Sequence, residues 1–303
     1  MTLPAMTPLA TSTLAETTRL AVRPLGKAMG AEIAGGDLLA PGDGDMATIR
    51  QALRDHLVLR LRGYALDDVA FTRFAERLGP LHTSPDYVKD RKIYVAASPT
   101  MSVVSNIVEN GVPIGHHGDG ELGWHTDLSF TDTPSTFTLL MAREVPASGG
   151  NTWFTSMYAA YDALPETLRR TIAQFPMMKH QASHNPQYGT WPGYDHIKTR
   201  DVREMPGPIH PIVRTHAETG RPTLYLGRRF GAYIPGLPLA ESEALCDELW
   251  SHVALEGHTW VQEWRLGDFV IWDNRCTMHR RDAFPGQGRR RMHGLMTAGV
   301  RPQ

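Results

Sequence analysis

Two segments far apart in the chain constrain its fold more than any other feature: Trp124-His125-Thr126-Asp127, and Ile271-Trp272-Asp273-Asn274-Arg275-Cys276-Thr277-Met278-His279. In an extended strand successive side chains alternate faces, so His125 and Asp127 can aim at one point while Thr126 faces away. Two imidazoles and one carboxylate fill one face of a mononuclear metal ion and leave the other face open. His279 can complete such a face only if a non-local β-fold brings a distant strand beside the first. Asp273-Asn274-Arg275 reads as a strand end that delivers His279 to a barrel mouth. A basic triplet, Arg289, Arg290 and Arg291, follows.

The flanking pattern suits such a fold. Ile49, Leu53 and Leu57 mark a helix over 46–57, and Leu57 to Leu61 reads as a strand. Asp67 and Asp68 precede Phe71, Phe74 and Leu78, a capped amphipathic helix stopped at Gly79-Pro80. A β-rich core is expected to begin near Tyr94, with strands at Thr136–Val145 and Thr152–Phe154. Helices over about 157–175 are expected to be split by Pro165. The stretch 180–208 is dense in Pro, Gly, His and Tyr without a period. Strand signals return at Ile212–Thr215 and Thr223–Leu226 across the turn Glu218-Thr219-Gly220, then a helix over Glu241–Val253. Trp264–Trp272 and Arg291–Thr297 read as closing strands. Strands scattered over most of the chain around a helical segment indicate one β-sandwich rather than an alternating α/β sheet. The organisation expected is a mobile arm over 1–20 and a single domain over 21–303, with a loop and helical insert at about 155–210.

At 303 residues the chain can bury a substantial core. A formal charge of −1, from 31 basic and 32 acidic residues, gives no electrostatic footprint for nucleic acid. No run of about 18 apolar residues is present, so no membrane span is expected. The arm lacks a basic start and a continuous apolar segment, unlike a signal peptide. Cys246 and Cys276 are the only cysteines, too few for a disulfide framework, and the expected setting is a reducing cytoplasm.

Alone, a His-x-Asp pair is more often structural than metal-binding. Joined to a distant His and a following Arg, it is the set that a mononuclear iron(II), 2-oxoglutarate-dependent oxygenase needs. The chain resembles the family of taurine dioxygenase and 2,4-dichlorophenoxyacetate dioxygenase over about residues 22–298. The resemblance is carried by these motifs and by Phe74-Ala75-x-x-Leu78-Gly79-Pro80-Leu81-His82, Pro146-Ala147-Ser148-Gly149-Gly150-Asn151-Thr152 and Ala159-Ala160-Tyr161-Asp162-Ala163-Leu164. It implies a mainly β double-stranded β-helix, or jelly roll, with helices packed outside. It implies His125, Asp127 and His279 as iron ligands, with Arg290 and Thr152 holding the far carboxylate of 2-oxoglutarate. A planar guanidinium fork suits a carboxylate, and a hydroxyl adds one donor. Strand parity turns Arg289, Arg291 and His293 away from Arg290. The implied activity is hydroxylation, or oxidative cleavage, at a C–H bond of a small polar organic acid or amino-acid derivative, using dioxygen and releasing succinate and carbon dioxide. The carboxylate of Asp127 favours hydroxylation over halogenation. Relatives of this kind imply a homo-oligomer, a dimer or tetramer.

The chain departs from the taurine enzyme where substrate is held. Gly294 stands where an arginine for the sulfonate is expected, and Ser84 replaces a histidine, although Tyr87 matches a substrate-side tyrosine. A buried anionic head group without a cation costs several kcal/mol, which argues against taurine itself. Candidates for the rebuilt pocket are Asp119 and Glu121 in the loop leading into the metal motif, and Arg228 of the Arg228-Arg229 pair. His116, His117, His184, Tyr188 and Trp191 lie in irregular segments that could border it. Two rival readings keep the barrel but not the chemistry: a metal-dependent enzyme that is not an oxygenase, and a non-catalytic iron or 2-oxoglutarate sensor.

Overall fold

The computed structural model describes residues 19–64, 66–83, 94–95, 98–181, 184–185, 189–190 and 198–303. The larger of its two main sheets runs, edge to edge, through Leu20–Pro24, Ala31–Gly35, Val58–Leu61, Phe269–Asp273, Phe137–Glu144, Arg291–Met296, Ser98–Ser105 and Tyr94–Val95, with His116–His117 also paired to Ser98–Ser105. The smaller runs Thr259–Gln262, Thr152–Ser156, Thr277–Arg281 and Leu122–His125. The two sheets face one another as the double-stranded β-helix that the resemblance implies.

Two helices cover the outer face of the large sheet. Asp43–His56 buries Met46, Ile49, Ala52 and Leu53, and Asp68–Glu76 buries Phe71, Phe74 and Ala75. Asp67 caps the second, its carboxylate accepting from the Ala70 amide at 2.7 Å. Phe71 and Phe74 meet Phe269 edge-on at 5.7 and 5.4 Å, in a core with Leu59, Leu61, Leu139, Met141, Ile271 and Leu295. Between the sheets, Val58, Val270 and Trp272 pack against Phe154 and Tyr158. Behind the small sheet, Met157–Asp162, Glu166–Gln174 and Leu239–Ser251 form a third core with Ile212, Leu224, Leu226 and Met278. Pro165 does split the first two of those helices, standing as the N-cap of the second.

The elements differ from expectation in three places. The β-rich core takes in strands from Leu20 onward instead of beginning near Tyr94, because Leu20–Pro24, Ala31–Gly35 and the expected strand Val58–Leu61 belong to the large sheet. Trp264–Trp272 is not one strand: Thr259–Gln262 and Phe269–Asp273 belong to different sheets. The chain turns between them at Gly267, whose φ is +81°, and Asp268 fixes the turn by accepting from the Arg265 amide at 3.0 Å and from Gln262 at 2.8 Å. Finally, Asp273-Asn274-Arg275 does not end the strand that bears His279. It crosses from the large sheet to the small one, and His279 lies in the middle of Thr277–Arg281.

Candidate active site

His125 and His279 face each other across the ladder between Leu122–His125 and Thr277–Arg281, where they are paired residues. Asp127 lies beyond the end of its strand, so strand alternation is not what aims it. The Asn274 side chain does that work: its Oδ1 accepts from the Asp127 amide and its Nδ2 donates to the Asp127 carbonyl, both at 3.0 Å. Nδ2 also donates to Ser135 Oγ at 2.9 Å, which ties the turn to the large sheet. From that sheet Thr138 donates to Asp127 Oδ2 at 3.0 Å. The other carboxylate oxygen, Oδ1, lies 3.7 Å from His125 Nε2 and 3.7 Å from His279 Nε2. That is too long for a hydrogen bond, and all three donor atoms lie within 4.8 Å of one another.

This spacing fits one metal ion. Burial holds the His125 imidazole well below its usual pKa, reinforced by the charges of His279 and Arg228, and burial lowers His279 as well, so both rings are neutral at physiological pH. His125 Nδ1 lies 2.8 Å from the Gly123 carbonyl, which it meets as N–H donor, leaving the Nε2 lone pair toward Asp127. A buried neutral imidazole pair with a carboxylate that accepts from Thr138 and whose backbone Asn274 clasps suits iron(II).

Arg290, which directly precedes Arg291–Met296 of the large sheet, is 1% exposed, and its Nε and Nη1 have no hydrogen-bond partner. Burial first, and then the charge of Arg281, push its guanidinium down to about 9. It lies over the Phe284 ring at 5.8 Å from the centroid. Gly150, with φ at +64°, lets the backbone pass close by: a Cβ there would fall 3.2 Å from Arg290 Nε and Cδ. Thr152 is buried at the start of Thr152–Ser156 in the small sheet, its hydroxyl accepting from Trp264 Nε1 at 3.0 Å. Parity separates the triplet as expected. Arg289 pairs with Glu144 at 2.7 Å and Glu109 at 3.0 Å, and Arg291 with Glu144 at 3.1 Å. His293 faces outward onto Asp68 at 2.7 Å.

The substrate candidates separate too. Arg228 forms an isolated antiparallel bridge with His125, and its charge reaches His117, His125 and His279. Arg229 turns the other way, to Glu243 at 2.6 Å and Asp247 at 2.7 Å. Glu121 has a side chain 62% exposed and lies 3.6 Å from Arg280, a neighbour of His279 that faces away from it. Asp119 is half-buried, and its carbonyl accepts from the Phe284 amide at 3.0 Å. A side chain at Gly294 would begin 2.9 Å from Ser102 Oγ and 3.4 Å from Leu140 Cδ1, so an arginine there would have to displace the Ser102 hydroxyl. Tyr87, Ser84, Tyr188, Trp191 and the side chain of His184 lie outside the described residues.

Three residues escaped the sequence reading: Asn274, Thr138 and Arg281. Arg281 is buried, stands opposite Thr152 in the ladder, and donates through Nη2 to the carbonyls of His117, at 2.9 Å, and Gly120. Its signal was position, two residues beyond His279 on one strand.

The family model for the taurine catabolism dioxygenase TauD, TfdA family, matches residues 21–296. The (S)-phenoxypropionate/alpha-ketoglutarate-dioxygenase of Delftia acidovorans is 30% identical, over 87% of this chain and 89% of its own length. The alpha-ketoglutarate-dependent 2,4-dichlorophenoxyacetate dioxygenase of Cupriavidus pinatubonensis is 30% identical, over 85% and 90%. Among solved structures, a taurine dioxygenase from Burkholderia xenovorans superposes with a TM-score of 0.76 at 25% identity, covering 94% of this chain and 91% of that one. AAD-2 in complex with Mn(II) and N-oxalylglycine gives 0.73 at 28% identity, covering 94% and 99%. Nothing among them favours the non-oxygenase or sensor readings. The chain belongs to the TauD/TfdA family and is an iron(II)- and 2-oxoglutarate-dependent dioxygenase that acts on a small organic substrate.

Proposed function

We propose that His125, Asp127 and His279 hold the iron, that Arg290 and Thr152 hold the far carboxylate of 2-oxoglutarate, and that the substrate is a small organic anion met by Arg228. The observation that carries this reading is Arg290, a fully buried guanidinium with unsatisfied N–H groups in the same barrel as the His-Asp-His group. A buried cation of that kind is stable only against an anion.

When bound, iron(II) with 2-oxoglutarate and dioxygen supplies the oxidising power that converts a C–H bond to an alcohol, with release of succinate and carbon dioxide. The chain supplies position. Asn274 and Thr138 fix the Asp127 carboxylate, the Gly123 carbonyl fixes the His125 tautomer, and Arg290 with Thr152 sets the direction from which the ketoacid reaches the metal. The surroundings of the His-Asp-His group are cationic on one side, since Arg228 and Arg281 both bear on His125. That excess suits an anionic substrate. Phenoxypropionate, 2,4-dichlorophenoxyacetate and sulfate esters, for which relatives are named, are all anions. With Gly294 crowded by Ser102 and Leu140, the backbone bridge of Arg228 to His125 and its charge on both histidines support Arg228 as the cation that receives the head group.

A panel of small carboxylates, sulfonates and sulfate esters, scored by substrate-stimulated succinate formation, tests the reading. Arg228→Met is expected to lower kcat/KM for the best anion about 100-fold, while slow succinate formation without substrate persists. Unchanged kcat/KM in that variant removes Arg228 from the substrate site. The same reading makes the protein a homo-oligomer of a reducing cytoplasm, compatible with two buried free thiols, and light scattering on the purified protein tests the first point.

A further inference from the structure

Arg281 is a second guanidinium in the wall of the cosubstrate pocket. It follows His279 by two residues on Thr277–Arg281, so strand alternation sends both side chains into the barrel. The ladder sets it directly opposite Thr152, and it is 3% exposed. Its guanidinium lies 5.1 Å from the centroid of Phe284, the ring that also carries Arg290 at 5.8 Å. Two buried cations on one ring repel each other, and an anion between or beside them relieves both.

The same side chain reaches the loop that precedes the metal motif. Nη2 donates to the carbonyls of His117 and Gly120, and the amide of Phe284 donates to the Asp119 carbonyl between them. The loop 117–120, which leads into Leu122–His125, is therefore pinned at three of its four residues.

We infer that Arg281 is a positioning residue for 2-oxoglutarate: it shares the far carboxylate's charge with Arg290 and, through its carbonyl bonds, ties the filled pocket to the loop 117–120. The inference rests on the assignment of Arg290 and Thr152 to the cosubstrate. It makes cosubstrate binding depend on two cations instead of one, and makes the order of the loop depend on cosubstrate.

The test is calorimetric titration of the manganese(II)-loaded, full-length protein with 2-oxoglutarate, for the wild type, Arg281→Met, Arg281→Lys and Arg290→Met. Arg281→Met is expected to weaken binding about tenfold and Arg290→Met about 100-fold. Arg281→Lys keeps the charge but not the fork, so it retains most of the affinity. Hydrogen exchange over residues 117–121 of the wild type is expected to slow when 2-oxoglutarate is added, and this slowing is lost in Arg281→Lys. A merely structural Arg281 predicts a lower melting temperature in Arg281→Met with unchanged 2-oxoglutarate affinity, and that result overturns the inference while the Arg290 assignment stands. Unchanged affinity in Arg290→Met overturns the assignment itself. Should Arg281→Met fail to fold, unchanged wild-type exchange in the loop on addition of 2-oxoglutarate still overturns the inference.

Discussion

Replacing Arg290 by Met should make the ligand-free protein more stable and the enzyme nearly useless, and the opposite signs follow from one set of contacts. Arg290 is 1% exposed, with Nε and Nη1 unpartnered. Each unsatisfied buried donor costs about 1–3 kcal/mol, so the pair costs roughly 2–6 kcal/mol. The guanidinium recovers about 1–2 kcal/mol from its place over Phe284. Burial and Arg281 push its pKa down to about 9, the sign of a cation that the empty fold disfavours. A guanidinium does not give up its proton at neutral pH, so this disfavour appears as lost stability. Met keeps the apolar stem, removes the charge and donors, and is expected to stabilise the metal-free protein by about 2 kcal/mol. With cosubstrate the balance reverses: losing a buried charge-paired partner costs about 2–5 kcal/mol of binding. Urea unfolding of both proteins without metal or ketoacid, then with manganese(II) and 2-oxoglutarate, measures both signs. An Arg290→Met protein that is less stable when empty and equally stabilised by 2-oxoglutarate refutes the reasoning.

Asn274→Ala removes both backbone clasps on Asp127 and is expected to weaken iron(II) binding about 10–100-fold, read by competition with a chelating dye. Thr138→Val deletes only the bond to Asp127 Oδ2 and is expected to fall at the low end of that range in the same assay. Gly150→Ala forces a side chain to φ of +64° and 3.2 Å from Arg290; it should cost about 1–2 kcal/mol in unfolding and raise the 2-oxoglutarate KM. His180 is buried with its pKa pushed down to about 3, below the usual 6.5, because burial opposes its charge. The unfolded chain therefore binds a proton that the folded chain refuses between pH 6.5 and 3, and stability falls as pH drops through that window. His180→Phe is expected to remove one proton's worth of that slope in pH-dependent denaturation, and an unchanged slope counts against it.

The candidate site was largely legible because the chemistry proposed for it needs few residue types in a rare arrangement. His125, Asp127 and His279 announce themselves by kind and spacing, and the parity that turns His293 onto Asp68 is simple strand arithmetic. Arg290 and Thr152 came from resemblance, since a run of three arginines does not by itself say which one is buried. Asn274 was hidden in a turn, where asparagine is ordinary. Arg281 was hidden because barrel interiors invert the usual pattern around an active site. Thr277, His279 and Arg281 line the inside of their strand, so a polar alternation there reads as surface. The first strand escaped for a different reason: Leu20–Pro24 is an edge strand in which only Leu20 is fully buried, leaving no alternation to read. The break at Gly267 sits just before the apolar run Phe269–Trp272, and Trp264 and Leu266 ahead of it make the segment read as one strand.

The central claim is that His125, Asp127 and His279 hold iron in reach of a ketoacid whose far end sits on Arg290. Anaerobic absorption spectroscopy tests it most directly, with iron(II) and then 2-oxoglutarate added to metal-free protein. A weak visible charge-transfer band that requires both additions, disappears in Asp127→Ala and needs much more 2-oxoglutarate in Arg290→Met is the predicted result. Tight iron binding with no band, or a band indifferent to both substitutions, contradicts it.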